Sequence, residues 1–281
     1  MPIHPRTEIH PSALIADDVE IGPGVVIGPS CVIKSGVEIG PNVILGLNTT
    51  ICEEVRIYPG AIIGADPQDA KYDGSLTICE VGPRTIVREY CTISRGTTAS
   101  GATIIGSDCM LMSLTHVGHD CRLGDHVVTA TGAAFGGHCE IGDRTIVGGN
   151  TGVHQFVRIG RLAMIGGMSG VRQDAPPFMI TAGHPPARVY GVNTVGLKRN
   201  GVSPASRAAI KQAFRLLYRS GLNTRDALAK IERELERTVE IGQLLEFYAT
   251  SRRGVARGHK EAAMYDDDDL RNEIRRTTQL A

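Results

Sequence analysis

The chain has 281 residues, which is enough for one large domain or two. Its 30 Lys and Arg balance its 30 Asp and Glu, so the formal net charge is zero and gives no sign of nucleic-acid binding. No apolar run reaches the ~18 residues of a membrane span, and the N-terminus lacks the basic and hydrophobic blocks of a signal peptide. We therefore expect a cytoplasmic protein without membrane insertion.

From the N-terminus to residue 171, an aliphatic side chain or a close substitute recurs at every sixth position over long stretches. A glycine often follows it, and a small or β-branched residue stands two positions before it. This period fits neither an α-helix nor an ordinary strand, but it is typical of the hexapeptide repeat. The repeat positions are Ile3, Ile9, Ile15, Ile21, Ile27, Ile33, Ile39, Leu45, Ile51, Ile57, Ile63, Val81, Val87, Ile93, Ile105, Leu111, Val117, Leu123, Thr129, Phe135, Ile141, Val147, Val153, Ile159, Ile165 and Val171.

The hexapeptide repeat predicts a left-handed parallel β-helix, a triangular prism with three six-residue sides per turn. The aliphatic residue should point inward, and the glycine should relieve crowding at the corner. Successive coils should stack about 4.8 Å apart, like the strands of a parallel sheet. We assign residues 1–190 to this prism. We also expect a homotrimer, because related prisms bury their exposed apolar sides by threefold association.

Six of the seven cysteines occupy one phase of the repeat, two positions before the aliphatic residue. A thiol in this phase suits a small buried position inside the prism, and no CxxC pair indicates a zinc site. We therefore expect no structural metal and no cofactor. The six are Cys31, Cys79, Cys91, Cys109, Cys121 and Cys139.

Two segments interrupt the repeat, near residues 65–77 and 94–102. Loops that protrude from a regular solenoid often carry function. The repeat ends after Val171 in a proline-rich passage.

From residue 203 onward the apolar period becomes that of a helix. Ser203 as N-cap and Pro204 in the first turn predict a helix whose apolar side includes Ile210 and Phe214. Further helices are expected over residues 226–237 and about 241–251. We assign residues 191–255 to a helical domain, and the charged residues 256–281 to a frayed tail.

Four histidines fall near one edge of the predicted prism. His119, His138 and His154 lie on three successive coils at neighbouring phases, and His116 shares the coil of His119. Such a cluster fits a metal site or a proton-transfer site, whereas a single surface histidine usually has no role. A zinc site of the γ-class carbonic anhydrase type needs an HxxxxH pair, which is absent. An acyl-transfer site needs a neutral histidine, N–H donors for an oxyanion and a groove for the acyl chain.

Positive charge is concentrated between residues 151 and 220, where Asp174 is the single acid. This span suits an acidic protein partner or a phosphate-bearing ligand. A solvated surface balanced by acids elsewhere is the alternative. The basic residues are Arg158, Arg161, Arg172, Arg188, Lys198, Arg199, Arg207, Lys211, Arg215 and Arg219.

Six sequence segments form a more specific pattern. They are PQDAKY (67–72), THVGHDC (115–121), GNTGVHQF (149–156), IGGMSGV (165–171), GVNTVGLKRNG (191–201) and LLYRSG (216–221). In this order they resemble the acyl-carrier-protein:UDP-N-acetylglucosamine O-acyltransferase family, and the resemblance extends over about residues 7–255. It implies transfer of an (R)-3-hydroxyacyl group from acyl carrier protein to the 3-hydroxyl of UDP-N-acetylglucosamine, the first step of lipid A biosynthesis.

The resemblance also implies roles for individual positions. His119 matches the general base, the N–H of Gly137 matches the oxyanion donor, and Asp69 matches the residue that holds the sugar hydroxyl. Gly167, with Met164 nearby, matches the ruler that limits acyl length, and a glycine there implies a long-chain donor. Other substrate contacts are implied at Gln68, Lys71, His116, His138, His154, Gln155, Asn193 and Arg199.

Three positions depart from the best-known form of the family. Ser94 stands where that form has histidine, Val195 where it has an acid, and Asn200 where it has arginine. These departures leave room for a 3-amino sugar nucleotide as acceptor. A related N-acyltransferase is disfavoured, because it carries an extra N-terminal uridine-binding domain and the repeat begins at Ile3. A non-catalytic trimeric scaffold that binds an acidic partner is the remote alternative.

Overall fold

The computed structural model describes residues 3–259 and consists of stacked coils of short strands followed by helices. The strands are β1 (Glu8–Ile9), β2 (Leu14–Ile15), β3 (Glu20–Ile21), β4 (Val26–Ile27), β5 (Val32–Ile33), β6 (Glu38–Ile39), β7 (Ile44–Leu45), β8 (Thr49–Ile51), β9 (Arg56–Ile57), β10 (Ile62–Ala65), β11 (Ile78–Val81), β12 (Ile86–Val87), β13 (Thr92–Ser94), β14 (Ala102–Ile105), β15 (Met110–Leu111), β16 (His116–Val117), β17 (Arg122–Leu123), β18 (Val128–Thr129), β19 (Ala134–Phe135), β20 (Glu140–Ile141), β21 (Ile146–Val147), β22 (Gly152–Val153), β23 (Arg158–Ile159), β24 (Met164–Ile165), β25 (Gly170–Val171), β26 (Met179–Ala182) and β27 (Arg188–Val192).

Every third strand belongs to the same sheet, so the chain visits three sheets in turn. The first sheet runs from β1 to β25, the second from β2 to β23, and the third from β3 to β24. Pairing within these runs is parallel and joins residues one coil apart, as Glu8 pairs with Val26 and Arg122 with Glu140. At the end of the third sheet β26 follows β24 in parallel, and β27 then pairs with β26 in antiparallel orientation. The prism predicted from the repeat is confirmed.

The repeat positions form the core of the prism. In most two-residue strands the second residue points inward, and side chains such as Ile63, Leu111 and Phe135 are fully buried. Complete burial of an aliphatic side chain contributes about 1.5–3 kcal/mol, so the coils are held mainly by this internal stack. All seven cysteines are free and buried, and the six in phase belong to the same core, as predicted.

The corner glycines relieve crowding between coils. A Cβ on Gly106 would lie 2.5 Å from the carbonyl carbon of Gly124 in the next coil. The left-handed backbone conformation, with positive φ, occurs two residues after the corner-glycine position. This turn position is a glycine in some coils, such as Gly24 and Gly60, and another residue in others, such as Asn42 and Asn150. The glycine is therefore needed because the backbones approach closely, and the conformational need lies at the neighbouring turn position.

Two loops leave the prism at the same edge, between the first and second sheets. The first loop, residues 66–77, connects β10 to β11, and the second, residues 95–101, connects β13 to β14. Both segments were expected from the interrupted repeat. Beyond them, each coil again takes a regular turn at this edge.

In the part of the chain that the structure describes, four helices follow the prism: α1 (Thr194–Arg199), α2 (Pro204–Tyr218), α3 (Thr224–Glu234) and α4 (Val239–Ala249). The predicted helix start at Ser203 is confirmed, since its hydroxyl accepts a hydrogen bond from Ser206 N at 3.0 Å. The second helix was predicted over residues 226–237, but α3 begins two residues earlier. Its N-cap is Asn223, whose side chain accepts a hydrogen bond from Asp226 N. The short helix α1 was not predicted.

The end of the chain that the structure describes returns to the prism. Asp174 is 1% exposed, accepts hydrogen bonds from Arg158 N and Ser251 Oγ, and pairs with Val255. Residues 256–259, which the sequence analysis placed in the tail, pair with β27 through Val189. The rest of the predicted tail, residues 260–281, lies outside the described residues. Within residues 3–259 no helix has the length and apolar character needed to cross a membrane.

Candidate active site

His119 follows β16 at the edge between the first and second sheets. Its Nδ1 lies 2.7 Å from Oδ2 of Asp120, and its side chain is 12% exposed. A carboxylate oxygen only accepts hydrogen bonds, so this contact assigns the proton of the neutral ring to Nδ1. The Nε2 lone pair is then available to take a proton from a bound molecule.

Asp120 is buried and held by the second protruding loop. Its carboxylate accepts hydrogen bonds from Thr97 N at 2.9 Å, Thr97 Oγ1 at 2.7 Å and Ser100 Oγ at 2.5 Å. Burial disfavours its ionisation, but the hydrogen bonds from Ser100, His119 and Thr97 outweigh burial and lower the pKa of Asp120. The carboxylate is therefore ionised at neutral pH and stabilises positive charge on the His119 ring.

The edge histidines are close to one another. The rings of His119 and His138 meet edge to face with centroids 5.0 Å apart, and His138 stacks on Phe156 at 4.5 Å. Nε2 of His138 lies 3.6 Å from Asp120 Oδ2. His154, one coil further, directs Nδ1 at the carbonyl oxygen of Gln155, 3.1 Å away. We name these three histidines and the turns that carry them the histidine edge.

His116 lies on β16 itself, beside the histidine edge. Its Nδ1 is 2.8 Å from the hydroxyl oxygen of Thr92 in the preceding coil. Burial lowers the pKa of His116, and the neighbouring His119 lowers it further. His116 is therefore neutral at pH 7 and can exchange hydrogen bonds with a polar ligand.

Gly137 leaves space for the His119 ring and presents a free N–H. A Cβ at this position would lie 2.5 Å from His119 Cε1 and 2.6 Å from Nε2, so any side chain would displace the ring. Among residues 3–259 no acceptor is found for the Gly137 N–H. Proline occupies the same turn position in other coils, at Pro23, Pro41 and Pro83, because the coil ladder does not use this N–H. The donor is thus free for a ligand beside the His119 ring.

A groove of about 350 Å³ runs along this edge. Many of the site residues predicted from the sequence line this groove, and the buried Ser94 lines it as well. Its lining residues are Gln68, Ser94, His116, Gly118, His119, Gly136, Gly137, Val153, His154 and Gln155. Lys71 is exposed on the first loop, where its N–H donates to Asp69 Oδ1 at 3.0 Å; neither Lys71 nor Asp69 lines the groove.

Two other groups of predicted residues lie on the remaining edges of the prism. Asn193 is 5% exposed and caps α1, with Oδ1 accepting from Gly196 N and Nδ2 donating to Leu162 O. Arg199 is exposed at the end of α1, so both lie near the edge between the second and third sheets. Gly167 and Met164 lie at or before the edge between the third and first sheets. One chain therefore does not bring these residues to His119.

The residues that hold Asp120 were not predicted from the sequence. Thr97 and Ser100 belong to the loop whose position was predicted, but nothing in the sequence indicated that their side chains contact Asp120. Phe156 was also missed, although its place beside HQ in the GNTGVHQF segment was a usable signal.

His119, Asp120 and His138 also place three potential metal-ligand atoms within 4.8 Å of one another. A cation bound there would compete with the Thr97, Ser100 and His119 hydrogen bonds for the Asp120 oxygens. The observed contacts fit a carboxylate that orients a histidine base better than they fit an open ligand set.

The coiled fold is that of the bacterial transferases built from hexapeptide repeats. A model described as bacterial transferase hexapeptide (six repeats) matches residues 3–35, 18–51 and 102–137, and one described as UDP N-acetylglucosamine O-acyltransferase, domain 2, matches residues 174–256.

Relatives match over nearly the whole chain. Acyl-[acyl-carrier-protein]–UDP-N-acetylglucosamine O-acyltransferases from Trichlorobacter lovleyi and Thiobacillus denitrificans are 49% and 42% identical, covering 92% and 91% of this chain and 100% and 99% of theirs. The crystal structure of the UDP-N-acetylglucosamine acyltransferase from Bacteroides fragilis superposes with a TM-score of 0.89 at 39% identity, covering 91% of this chain and 100% of that one. The chain belongs to the UDP-N-acetylglucosamine O-acyltransferase family and shares its left-handed parallel β-helix.

Proposed function

We propose that this protein transfers an (R)-3-hydroxyacyl group from the thioester of acyl carrier protein to the 3-hydroxyl of UDP-N-acetylglucosamine, the first step of lipid A biosynthesis. The observation that carries the proposal is the His119–Asp120 pair, 2.7 Å apart beside the free N–H of Gly137. This pair supplies the base, and the N–H supplies the donor, that acyl transfer to a hydroxyl requires.

The reaction begins when His119 Nε2 takes the proton of the sugar hydroxyl as its oxygen attacks the thioester carbonyl. The ring then carries a positive charge that ionised Asp120 stabilises across Nδ1. The Gly137 N–H donates to the negative oxygen of the tetrahedral intermediate. Collapse of the intermediate breaks the carbon–sulfur bond, and the thiolate of the carrier recovers the proton from His119.

The acceptor sugar is proposed to lie between the histidine edge and the first loop. Gln68 lines the groove with His116, His154 and Gln155, which offers amide and imidazole groups for the hydroxyls of a sugar. In this arrangement Asp69 and Lys71 reach the sugar and the diphosphate when the nucleotide is bound.

The homotrimer is supported by the outer surfaces of the later coils. From β12 onward the outward residues of the third sheet are apolar, whereas its earlier strands present Glu20, Glu38 and Arg56. The apolar ones are Ile86, Met110, Val128, Ile146 and Met164. On the second sheet the outward residues from β17 onward are charged, namely Arg122, Glu140 and Arg158. A threefold arrangement in which the first sheet of each prism packs on the third sheet of the next would bury the apolar surface of the later coils and leave the charged surface exposed.

In this packing, predicted site residues that lie far from His119 within one chain come close to the His119 of a neighbouring chain. The edge between the first and third sheets faces the threefold axis, and the histidine edge meets the edge of the neighbour that carries α1. Arg199 of α1 is then within reach of the nucleotide phosphates, and the buried Asn193 acts by fixing α1. Gly167 and Met164 lie at the inner end of the intersubunit groove, where an acyl chain that starts near His119 would stop.

The hydroxyl acceptor is favoured over the amine. The relatives that cover nearly the whole chain are named as O-acyltransferases, and the 3-amino acceptor suggested by the Ser94, Val195 and Asn200 departures has no support from them. We infer a cytoplasmic location, because the proposed substrates, an acyl carrier protein and a UDP-sugar, are found in the cytoplasm.

The proposal is tested by incubating the purified protein with UDP-N-acetylglucosamine and (R)-3-hydroxyacyl carrier protein, with the 3-amino sugar nucleotide as competitor. Mass spectrometry should show a monoacylated product of the hydroxyl sugar, with the ester cleaved by mild base. An amide as the main product would contradict the choice of acceptor, and failure to acylate either sugar would contradict the function.

A further inference from the structure

Arg95 is a buried arginine that contacts neither the groove nor the histidines. It follows β13, its side chain is 6% exposed, and it begins the second protruding loop. Burial of a guanidinium is costly unless its donors are satisfied. Its Nε is buried and finds no partner among residues 3–259, so stability alone is a poor explanation for an arginine here.

The guanidinium contacts the end of β10 and two residues of the first loop. Its Nη1 donates to Gly64 O at 3.1 Å, and its Nη2 donates to the Tyr72 hydroxyl at 2.7 Å and pairs with Asp66 at 2.5 Å. It also lies over the Tyr72 ring, 5.4 Å from the centroid. The Tyr72 hydroxyl in turn donates to Ser75 O at 2.9 Å. Asp66 and Tyr72 flank the stretch that contains Gln68, Asp69 and Lys71, so the guanidinium holds both ends of that stretch.

The second protruding loop, which begins at Arg95, is anchored further along by Asp120. Arg95 N donates to Ala65 O, whereas Thr97 and Ser100 donate to the Asp120 carboxylate. Residues 95–100 therefore join the carboxylate that orients His119 to the loop proposed to hold the sugar. A guanidinium suits this task because its planar fork contacts several acceptors at fixed angles, which a lysine ammonium does not.

We propose that Arg95 is a positioning residue that fixes the 66–72 loop against the histidine edge and thereby sets the affinity for the acceptor nucleotide. The inference rests on the proposed function for the identity of the acceptor. Its contacts with the loop are independent of that identity, and each can be tested separately.

The test compares Arg95→Met, Arg95→Lys and the control Arg233→Met, which removes an arginine paired with Glu234 on α3. For Arg95→Met, the KM for UDP-N-acetylglucosamine and its Kd by calorimetry should rise on the order of 10-fold, and the KM for the acyl donor should change little. The pH dependence of kcat should keep its position, because Asp120 still orients His119. Arg95→Lys should recover only part of the affinity, and Arg233→Met should match the parent.

Hydrogen exchange gives a readout that does not require turnover. Amides of residues 66–76 should exchange faster in Arg95→Met, whereas those around residues 134–142 should not. If Arg95→Met does not fold, Tyr72→Phe removes one acceptor of the guanidinium and should raise the same KM and the same exchange rates by a smaller factor. Nucleotide affinity within twofold of the parent together with unchanged loop exchange would overturn the positioning role. If the parent protein transfers no acyl group but the loop exchanges faster in Arg95→Met, the proposed function would be overturned. The role of Arg95 in fixing the 66–72 loop would still be supported.

Discussion

At the residue scale, two glycines in successive coils have opposite constraints. A Cβ on Gly148 would collide with the backbone of Gly167, whereas a Cβ on Gly167 would meet Gly149 O at 3.3 Å and no other atom closer than 3.7 Å. Gly148 is therefore required for coil packing. Gly167 tolerates a side chain after a small adjustment, which fits a position that faces a ligand.

We predict that Gly167→Met shifts donor preference toward shorter acyl chains and leaves folding intact. Each methylene excluded from the groove forfeits about 0.8 kcal/mol of burial, so the ratio of kcat/KM for long and short donors should fall by orders of magnitude. The control Gly148→Ala should lower Tm and affect all donors alike. Equal loss of activity with every donor in Gly167→Met would remove the ruler role.

We predict a pH-dependent stability contribution from His116. Its pKa is lowered in the folded state by burial and by His119, so the unfolded chain binds more protons as pH falls below the ordinary value of 6.5. The protein should lose stability in that direction, and His116→Asn should lose less. The difference in Tm between the two should be constant above about pH 7.5 and change in favour of the variant toward pH 5. A difference that does not vary with pH would contradict the burial of a neutral ring.

At the element scale, the repeat predicted more of the fold than of the site. Six-residue periodicity specifies which side chains point inward, so the prism, the buried cysteines and the shared edge of His119, His138 and His154 followed from counting positions. The loop contacts of Asp120 and Arg95 did not follow, because loops outside the repeat have no period that fixes where their side chains point. The helix α1 was missed because its six residues carry little apolar periodicity and depend on the Asn193 cap.

The helix α2 presents basic side chains that should bind the acidic carrier protein. Arg215 and Arg219 are exposed at its C-terminal end. We predict that replacing both with Gln raises the KM for acyl carrier protein and weakens its salt dependence, because exposed charge pairs are screened over about 8–10 Å at physiological ionic strength. Replacing Arg6 and Arg56, at the other end of the prism, serves as the control for net charge. Unchanged KM values at low salt and in 0.5 M salt would exclude electrostatic docking on α2.

At the scale of the whole molecule, the proposed site is complete only between subunits. The histidine edge lies between the first and second sheets, and α1 lies near the edge between the second and third, where Arg144 Nη1 donates to Asn200 Oδ1 at 3.0 Å. In the proposed trimer, in which the first sheet of each prism packs on the third sheet of the next, these two edges come from different chains and meet. The separation of the predicted residues within one chain is thus the expected geometry for a shared site.

We predict that two inactive variants complement each other. His119→Ala and Arg199→Ala each damage every site of their own trimers, but a mixed trimer contains interfaces in which an intact His119 faces an intact Arg199 of the neighbour. Co-refolding the two should restore measurable transfer, and sedimentation should show trimers throughout. No recovery from a mixture shown to exchange subunits would place both residues in one chain's site.

The central claim is that His119 is the base of an acyl transfer, and it is tested most directly by His119→Asn beside His10→Asn. His10 is an exposed histidine that follows β1, five coils away from β16 in the first sheet. Measured with UDP-N-acetylglucosamine and (R)-3-hydroxyacyl carrier protein, kcat for His119→Asn should fall roughly 10²- to 10⁴-fold with Tm nearly unchanged, and His10→Asn should behave as the parent. Retention of half the parent kcat by a folded His119→Asn protein would contradict the role of His119 as the base.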